Sequence, residues 1–242
     1  MNSFGHLYLL TVASALLLTG CNLAHGKPGQ DSETVAPNET TDFATLYAQN
    51  CAGCHGAEGR GGAARALADP VYLAIADEVA IQKATASGIR GTAMPGFAQN
   101  AGGMLTNKQI DVITNGIRSH WSKPGILVGS KPPSYFAKSV GNAGQGAIVF
   151  KTYCESCHGP DGRGGTKGSA VTNDVFLALV SDQSLRTVVI AGRPELGAPD
   201  WRGDVPGKSM SEQDITDVVA WLASQRAAET RQTNTTSNYA QR

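Results

Sequence analysis

Apolar positions fall into three kinds of stretch along the chain. Leu7 to Leu18 is an almost unbroken run of twelve residues, too short for a membrane span and the right length for the apolar part of a secretory signal. From Cys21 to Thr40 the chain is polar, broken by Gly26, Pro28, Gly29 and Pro37, with nothing periodic to bury. Beyond it, apolar residues recur at helical spacing in four places. Phe43, Leu46 and Tyr47 form one group and Ile148, Val149 and Phe150 another; Ile110, Ile113, Ile117 and Ile215, Val218, Leu222 mark two longer amphipathic helices. Thr106 with Gln109, and Ser211 with Asp214, stand where capping boxes would open those longer helices. No alternating pattern of comparable length suggests a strand, so the pattern predicts an all-α protein.

The four groups belong to a repeat. Cys51-Ala52-Gly53-Cys54-His55-Gly56 returns as Cys154-Glu155-Ser156-Cys157-His158-Gly159, an offset of 103 that also carries Gly59-Arg60-Gly61-Gly62 onto Gly162-Arg163-Gly164-Gly165. Val71-Tyr72-Leu73-Ala74-Ile75 matches Val175-Phe176-Leu177-Ala178-Leu179 at 104, and Ile110 matches Ile215 at 105. Two single-residue insertions bring the halves into register, so the chain holds two copies of one fold. The expected organisation is a signal over 1–20, a tether over 21–40, a first domain over 41–121 and a linker over 122–140. A second domain follows over 141–226, with a disordered tail over 227–242. The linker carries Lys123, Lys131 and Lys138 and no acid.

Composition narrows the function. Lys plus Arg is 20 and Asp plus Glu is 20, a balance that argues against a nucleic-acid partner. With 29 glycines and few aromatics, two small domains need something besides side chains to fill their cores. Four of the five cysteines lie in the repeated Cys-x-x-Cys-His, the attachment pattern of a c-type haem. Two thiols three residues apart on one helical turn reach the two vinyl groups along one porphyrin edge, and the adjacent imidazole swings under the iron. Zinc ribbons set their Cys pairs some 15–20 residues apart and need no histidine after each, whereas here about a hundred positions intervene. A redox dithiol would want a thioredoxin-like alternation of strands and helices, which is absent. The fifth cysteine, Cys21, ends Leu18-Thr19-Gly20-Cys21, which resembles the lipobox of bacterial lipoproteins. The resemblance implies cleavage before Cys21 and its lipidation, giving a membrane anchor on the extracytoplasmic side; several acyl chains suffice for stable attachment. The segment before Leu7 carries no Lys or Arg.

Both halves resemble class I cytochrome c domains, and the pair resembles dihaem cytochrome c lipoproteins of bacterial respiratory chains, over Thr41 to about Arg226. The resemblance implies two covalently bound haems c, held by Cys51 and Cys54 and by Cys154 and Cys157, with His55 and His158 as proximal ligands. It also implies a distal methionine ahead of the last helix. In the first copy that is Met94, in Met94-Pro95-Gly96-Phe97, with Met104 as the weaker candidate beside Leu105. The match carries Met94 onto Ala198, which cannot bind iron. For the second haem three outcomes stay open: Met210 as ligand, although the repeat gives it the slot of Leu105; an open or water-bound iron; or Lys208, Lys167 or a residue from elsewhere in the chain. The proline that often fixes the proximal imidazole is missing, and another carbonyl near Arg65 and near Ser169 must replace it.

The implied function is single-electron transfer between respiratory-chain partners, with a quinol-oxidising complex or a terminal oxidase as neighbour. A near-neutral chain gains little long-range steering, which fits lasting association better than diffusional shuttling. The alternative is a dihaem enzyme or a gas or peroxide sensor built on an open second haem. Against it, no distal histidine or evident general acid marks the second copy.

Overall fold

A computed structural model describes residues 35–203 and 208–226. The signal, Cys21, most of the tether and the tail over 227–242 therefore lie outside the described residues. Among the described residues no helix is long and apolar enough to cross a membrane. The cysteine motifs sit on single helical turns, each entered from a helix that ends at the first cysteine. In the first copy α1 (Phe43–Asn50) runs into α2 (Ala52–His55), followed by α3 (Pro70–Ile75), α4 (Glu78–Ser87) and α5 (Asn107–Trp121). The second copy repeats this order with α6 (Ala143–Tyr153), α7 (Glu155–His158), α8 (Asp174–Ala178), α9 (Asp182–Ala191) and α10 (Glu212–Ser224). A short 3-10 turn precedes the last helix of each, Gln99–Ala101 and Pro194–Leu196. Among the described residues extended pairing is limited to isolated bridges, Ala98 with Leu105 and Arg193 with Ala198.

Side-chain caps fix where the helices begin. Asp42 accepts from the Thr45 amide, Asp69 from Val71 and Tyr72, and Asp77 from Ala80. Their counterparts are Asn142, Asn173 and Ser181. Both long helices open with full capping boxes: Gln109 accepts from the Thr106 amide, and Asp214 from that of Ser211. Each supplies one orphan amide with an acceptor, about 1 kcal/mol per cap.

In each copy the first and last helices cross, α1 on α5 and α6 on α10. The crossings are close because one residue at each is glycine. A Cβ on Gly116 would lie 2.0 Å from the Phe43 ring, and one on Gly146 would lie 2.0 Å from the Asp217 carbonyl oxygen. The stripes Ile110, Ile113, Ile117 and Ile215, Val218, Leu222 are buried beneath these crossings. Ile148 lies on α6 but outside the core. It is exposed, because α6 turns Val149 and Phe150 inward and their neighbour faces solvent.

The copies share one apolar cluster, which runs from Leu46, Tyr72 and Ile113 to Phe150, Ile190 and Val218. α3 packs on α9 across the junction, and Tyr72 meets Tyr135 at 6.5 Å between ring centroids. The segment between α5 and α6 is tied to the second copy by Arg186. This buried side chain donates from Nη2 and Nε to the Ser134 carbonyl at 2.9 and 3.2 Å, donates to Thr216 Oγ1 at 3.0 Å, and pairs with Glu212. Burial lowers the Arg186 pKa while the Glu212 carboxylate opposes that shift.

Candidate functional site

Each Cys-x-x-Cys-His stands at a sharp change of direction. The α1 helix ends on Cys51, whose amide donates to the Tyr47 carbonyl at 2.8 Å, and α6 ends on Cys154 through the Phe150 carbonyl at 2.8 Å. One turn later the helices stop at Gly56 and Gly159, both with positive φ. The chain needs glycine at the first of these, since a Cβ on Gly56 would lie 1.8 Å from the Arg60 carbonyl oxygen.

The geometry that matters most is at the imidazoles. His55 Nδ1 donates to the Arg65 carbonyl at 2.7 Å, and His158 Nδ1 donates to the Ser169 carbonyl at 2.7 Å. A carbonyl can only accept, so each Nδ1 carries its proton and each Nε2 keeps its lone pair for a metal. These are the substitute carbonyls that the missing proline required. Gly168 lets the second loop approach, because a Cβ there would lie 2.8 Å from His158 Nδ1. His55 is buried, and burial lowers its pKa against the opposing pull of its bond to Arg65. That favours the neutral ring an iron ligand requires.

The thiols point to the same chemistry. Cys51, Cys54, Cys154 and Cys157 form no disulfide. Burial pushes the Cys51 thiol up to about 11 and the Cys154 thiol up to about 12, the reverse of what a reactive dithiol or thiolate metal site needs. Among the described residues no group of three or more His, Cys, Asp or Glu side chains could hold a metal ion. Paired thiols on one turn beside an oriented imidazole fit a thioether-bound porphyrin.

The distal side follows the repeat in its backbone and departs from it in one side chain. The Ile89 amide donates to the Met94 carbonyl at 3.0 Å, and the Arg193 amide donates to the Ala198 carbonyl at 3.0 Å. Ala198 thus occupies the place of Met94 in the folded chain. Likewise the Leu105 amide donates to the Phe97 carbonyl at 2.8 Å and the Met210 amide to the Trp201 carbonyl at 2.9 Å. Met210 has the backbone position of Leu105 and is buried in the shared apolar cluster. Met94 is partly buried, whereas Met104 is 83% exposed. Lys167 and Lys208 are exposed. Arg65 was noticed in the sequence only as a neighbour of the lost proline, and its side chain carries more than that. Its guanidinium lies 4.9 Å over the Tyr72 ring at the junction of the copies, and Nη2 is buried with no hydrogen-bond partner among the described residues. No periodicity or motif signals such an atom.

The sequence matches a known family over both copies. The family model described as cytochrome C oxidase, cbb3-type, subunit III matches twice, over residues 38–118 and 141–222. A cbb3-type cytochrome c oxidase subunit CcoP from Azospirillum sp. (strain B510) is 32% identical over 131 residues, 50% of this chain. The aligned part is 39% of that relative's length. A chain of the Kuenenia stuttgartiensis reducing HAO-like protein complex Kustc0457/Kustc0458 is similar at 18% identity, with a TM-score of 0.45, covering 79% of this chain and 99% of that one.

Proposed function

The chain belongs to the cytochrome C oxidase, cbb3-type, subunit III family, and from that premise we propose that it is a dihaem electron-transfer protein serving a respiratory oxidase. Its family and its two tandem cytochrome c domains imply covalently bound haem c and c-type electron transfer. The finer reading assigns Cys51 and Cys54 to one haem and Cys154 and Cys157 to a second, with His55 and His158 as proximal ligands and Met94 as the distal ligand of the first. The functional domains extend over 41–121 and 141–226. A haem at each site supplies a one-electron couple. The protein's part is to fix the imidazoles through the Arg65 and Ser169 carbonyls, to exclude water with the shared apolar cluster, and to hold the two sites in one body. A thioether opposite an imidazole stabilises reduced iron, so the Met94 site takes the higher potential.

The name of the Azospirillum relative points to a cbb3 oxidase as the electron acceptor, and the lipobox-like Cys21 supports a lipid anchor on the extracytoplasmic face. The observation that carries the reading is the repeated motif with both Nδ1 protons held by carbonyls at 2.7 Å. The test is a chemical haem count with electron paramagnetic resonance of the ferric protein, followed by oxidation of the reduced protein by purified cbb3 oxidase. Two haems per chain and oxidation within the oxidase's turnover time are expected; one haem, or none, ends the reading.

A second reading rests on Ala198 in the place of Met94. If no side chain replaces the thioether, the second iron is open and the protein is suited to bind a small ligand or react with peroxide. One high-spin and one low-spin signal, with carbon monoxide binding only to the second haem, would support it. Two low-spin signals would leave a plain carrier, with Met210 as the first ligand to test.

A further inference from the structure

A buried guanidinium nitrogen without a partner is costly. Leaving a buried donor unmade costs about 1–3 kcal/mol, and more for a charged group. Among the described residues Arg65 Nη2 is in that position. The acids nearest to it are already engaged. Asp69 spends Oδ1 on the Val71 and Tyr72 amides at 2.8 and 2.9 Å, and Glu195 pairs with Arg193. Arg193 adds a second positive charge from the other copy, and the remaining ionisable neighbours are the phenols of Tyr72 and Tyr135. The two guanidiniums are thus matched in charge by two carboxylates, yet among the described residues no oxygen accepts from Arg65 Nη2.

The backbone of the same residue says which anion arrives. The Arg65 carbonyl binds His55 Nδ1, so its side chain starts from the residue that orients the imidazole. A haem held by Cys51, Cys54 and His55 would carry propionate carboxylates, and a guanidinium is the side chain best matched to a carboxylate. We propose that Arg65 is a binding residue for a propionate of the first haem, which places that carboxylate at the junction with the second domain. This rests on the dihaem reading above. The second copy has Ser169 in the place of Arg65, so the pairing is confined to one haem. Arg65 then joins two tasks, its carbonyl holding the iron ligand and its guanidinium holding the porphyrin's acidic edge where the copies meet.

The experiment uses the full-length haem-loaded protein, with haem counted first. Redox-difference infrared spectra, read with propionate-labelled haem, and the two reduction potentials are compared for wild type, Arg65→Met and Arg65→Lys. Arg65→Met is expected to keep both haems, lower the potential of the first haem only and shift its carboxylate band. Arg65→Lys keeps the charge, so it should restore most of the potential while still shifting the band. A carboxylate band unmoved in either variant overturns the proposal, even if the potential falls, because a merely nearby charge would do that. Should Arg65→Met fail to fold, Arg65→Lys alone decides. A wild-type protein without haem on Cys51 and Cys54 would overturn the dihaem reading instead.

Discussion

The two copies solve the same packing problems with different residues. At the crossing of first and last helices, the first copy sets Phe43 against Gly116, and the second sets Gly146 against Trp221. Those are matching positions with large and small exchanged. The carbonyls at the end of the third helix are treated alike. Arg118 donates to the Leu73 and Ala76 carbonyls at 3.2 and 3.0 Å, while Arg226 donates to Leu177 and Val180 at 3.1 and 2.9 Å. These carbonyls correspond, although Arg226 stands one turn farther along than the counterpart of Arg118. What the fold conserves is therefore an interaction, and the residue supplying it is free to move. Covering differs too. Val71, Tyr72 and Leu73 of α3 are all buried, whereas among their counterparts on α8 only Leu177 is, Val175 and Phe176 being 68% and 38% exposed.

The largest contrast is at the proposed distal ligand, where Ala198 stands in the place of Met94. Met94→Ala should make the first site resemble the second, converting its signal from low to high spin and lowering its potential. Ala198→Met should do the reverse, because the surrounding backbone already matches at 3.0 Å in both. Paramagnetic resonance and the near-infrared band of methionine-bound ferric haem report each change. An Ala198→Met protein with an unchanged second haem would show that the resemblance of the two loops stops at the backbone.

The helix crossings come next. Phe43→Gly alone should cost about 3–5 kcal/mol through the cavity it opens, and Gly116→Trp alone about 3 kcal/mol from overpacking. The double variant copies the arrangement of the second domain and should recover a large part of the loss. In the second copy the obstruction at Gly146 is the Asp217 backbone oxygen, so Gly146→Phe should not be rescued by Trp221→Gly. Denaturation midpoints of the four singles and two doubles make two cycles, and equal recovery in both would break the comparison.

The arginines give a smaller difference. Arg226 makes two carbonyl bonds and an ion pair with Asp182, and its side chain is almost fully buried. Removing it should cost about 3–4 kcal/mol, because two carbonyls lose their donor and Asp182 loses this ion pair. Arg118 contacts its two carbonyls through Nη1, and Arg118→Ala should cost about 1–2 kcal/mol. A reversed order in urea titrations would mean that the Asp182 pair contributes nothing.

These contrasts also separate what the sequence carries from what only the fold brings together. Periodicity located both long helices and their buried stripes because burial leaves a spacing in the sequence. Cys-x-x-Cys-His was legible because its chemistry is local. The exchange of Phe43–Gly116 for Gly146–Trp221 was not, since it joins residues some seventy positions apart and neither partner is unusual alone. Three apolar residues in a row place a helix but cannot reveal that Ile148 is the one that turns outward. The carbonyls that hold His55 and His158 were expected near Arg65 and Ser169, but only the folded loops place them there. The orphaned Arg65 nitrogen lies beyond pattern, because it depends on what its neighbours have already bound.

The smallest effect concerns equivalent caps. Asp69 opens α3 and Asn173 opens α8, each accepting from the two following amides. Asp69 is buried, and burial raises its pKa above the ordinary carboxyl value despite two amide bonds and the charge of Arg65. A raised carboxyl pKa means that the folded state binds the proton more tightly than the unfolded chain does. The wild type therefore gains stability below the ordinary value and loses it as pH rises to the raised one. Asp69→Asn keeps both amide acceptors and discards that loss, so it should be neutral or stabilise by up to about 1 kcal/mol at pH 7. The difference should vanish in acid. Asn173 is exposed, where a carboxylate keeps its hydration and faces the positive end of the helix, so Asn173→Asp should add a few tenths, roughly 0.3 kcal/mol, at pH 7 and lose it in acid. Both gains would thus appear above the carboxyl range, but one comes from removing a charge and the other from adding one. Melting curves at pH 3 and pH 7 separate them, and a stabilising Asp69→Asn at pH 3 would show that burial of the charge is not the cause.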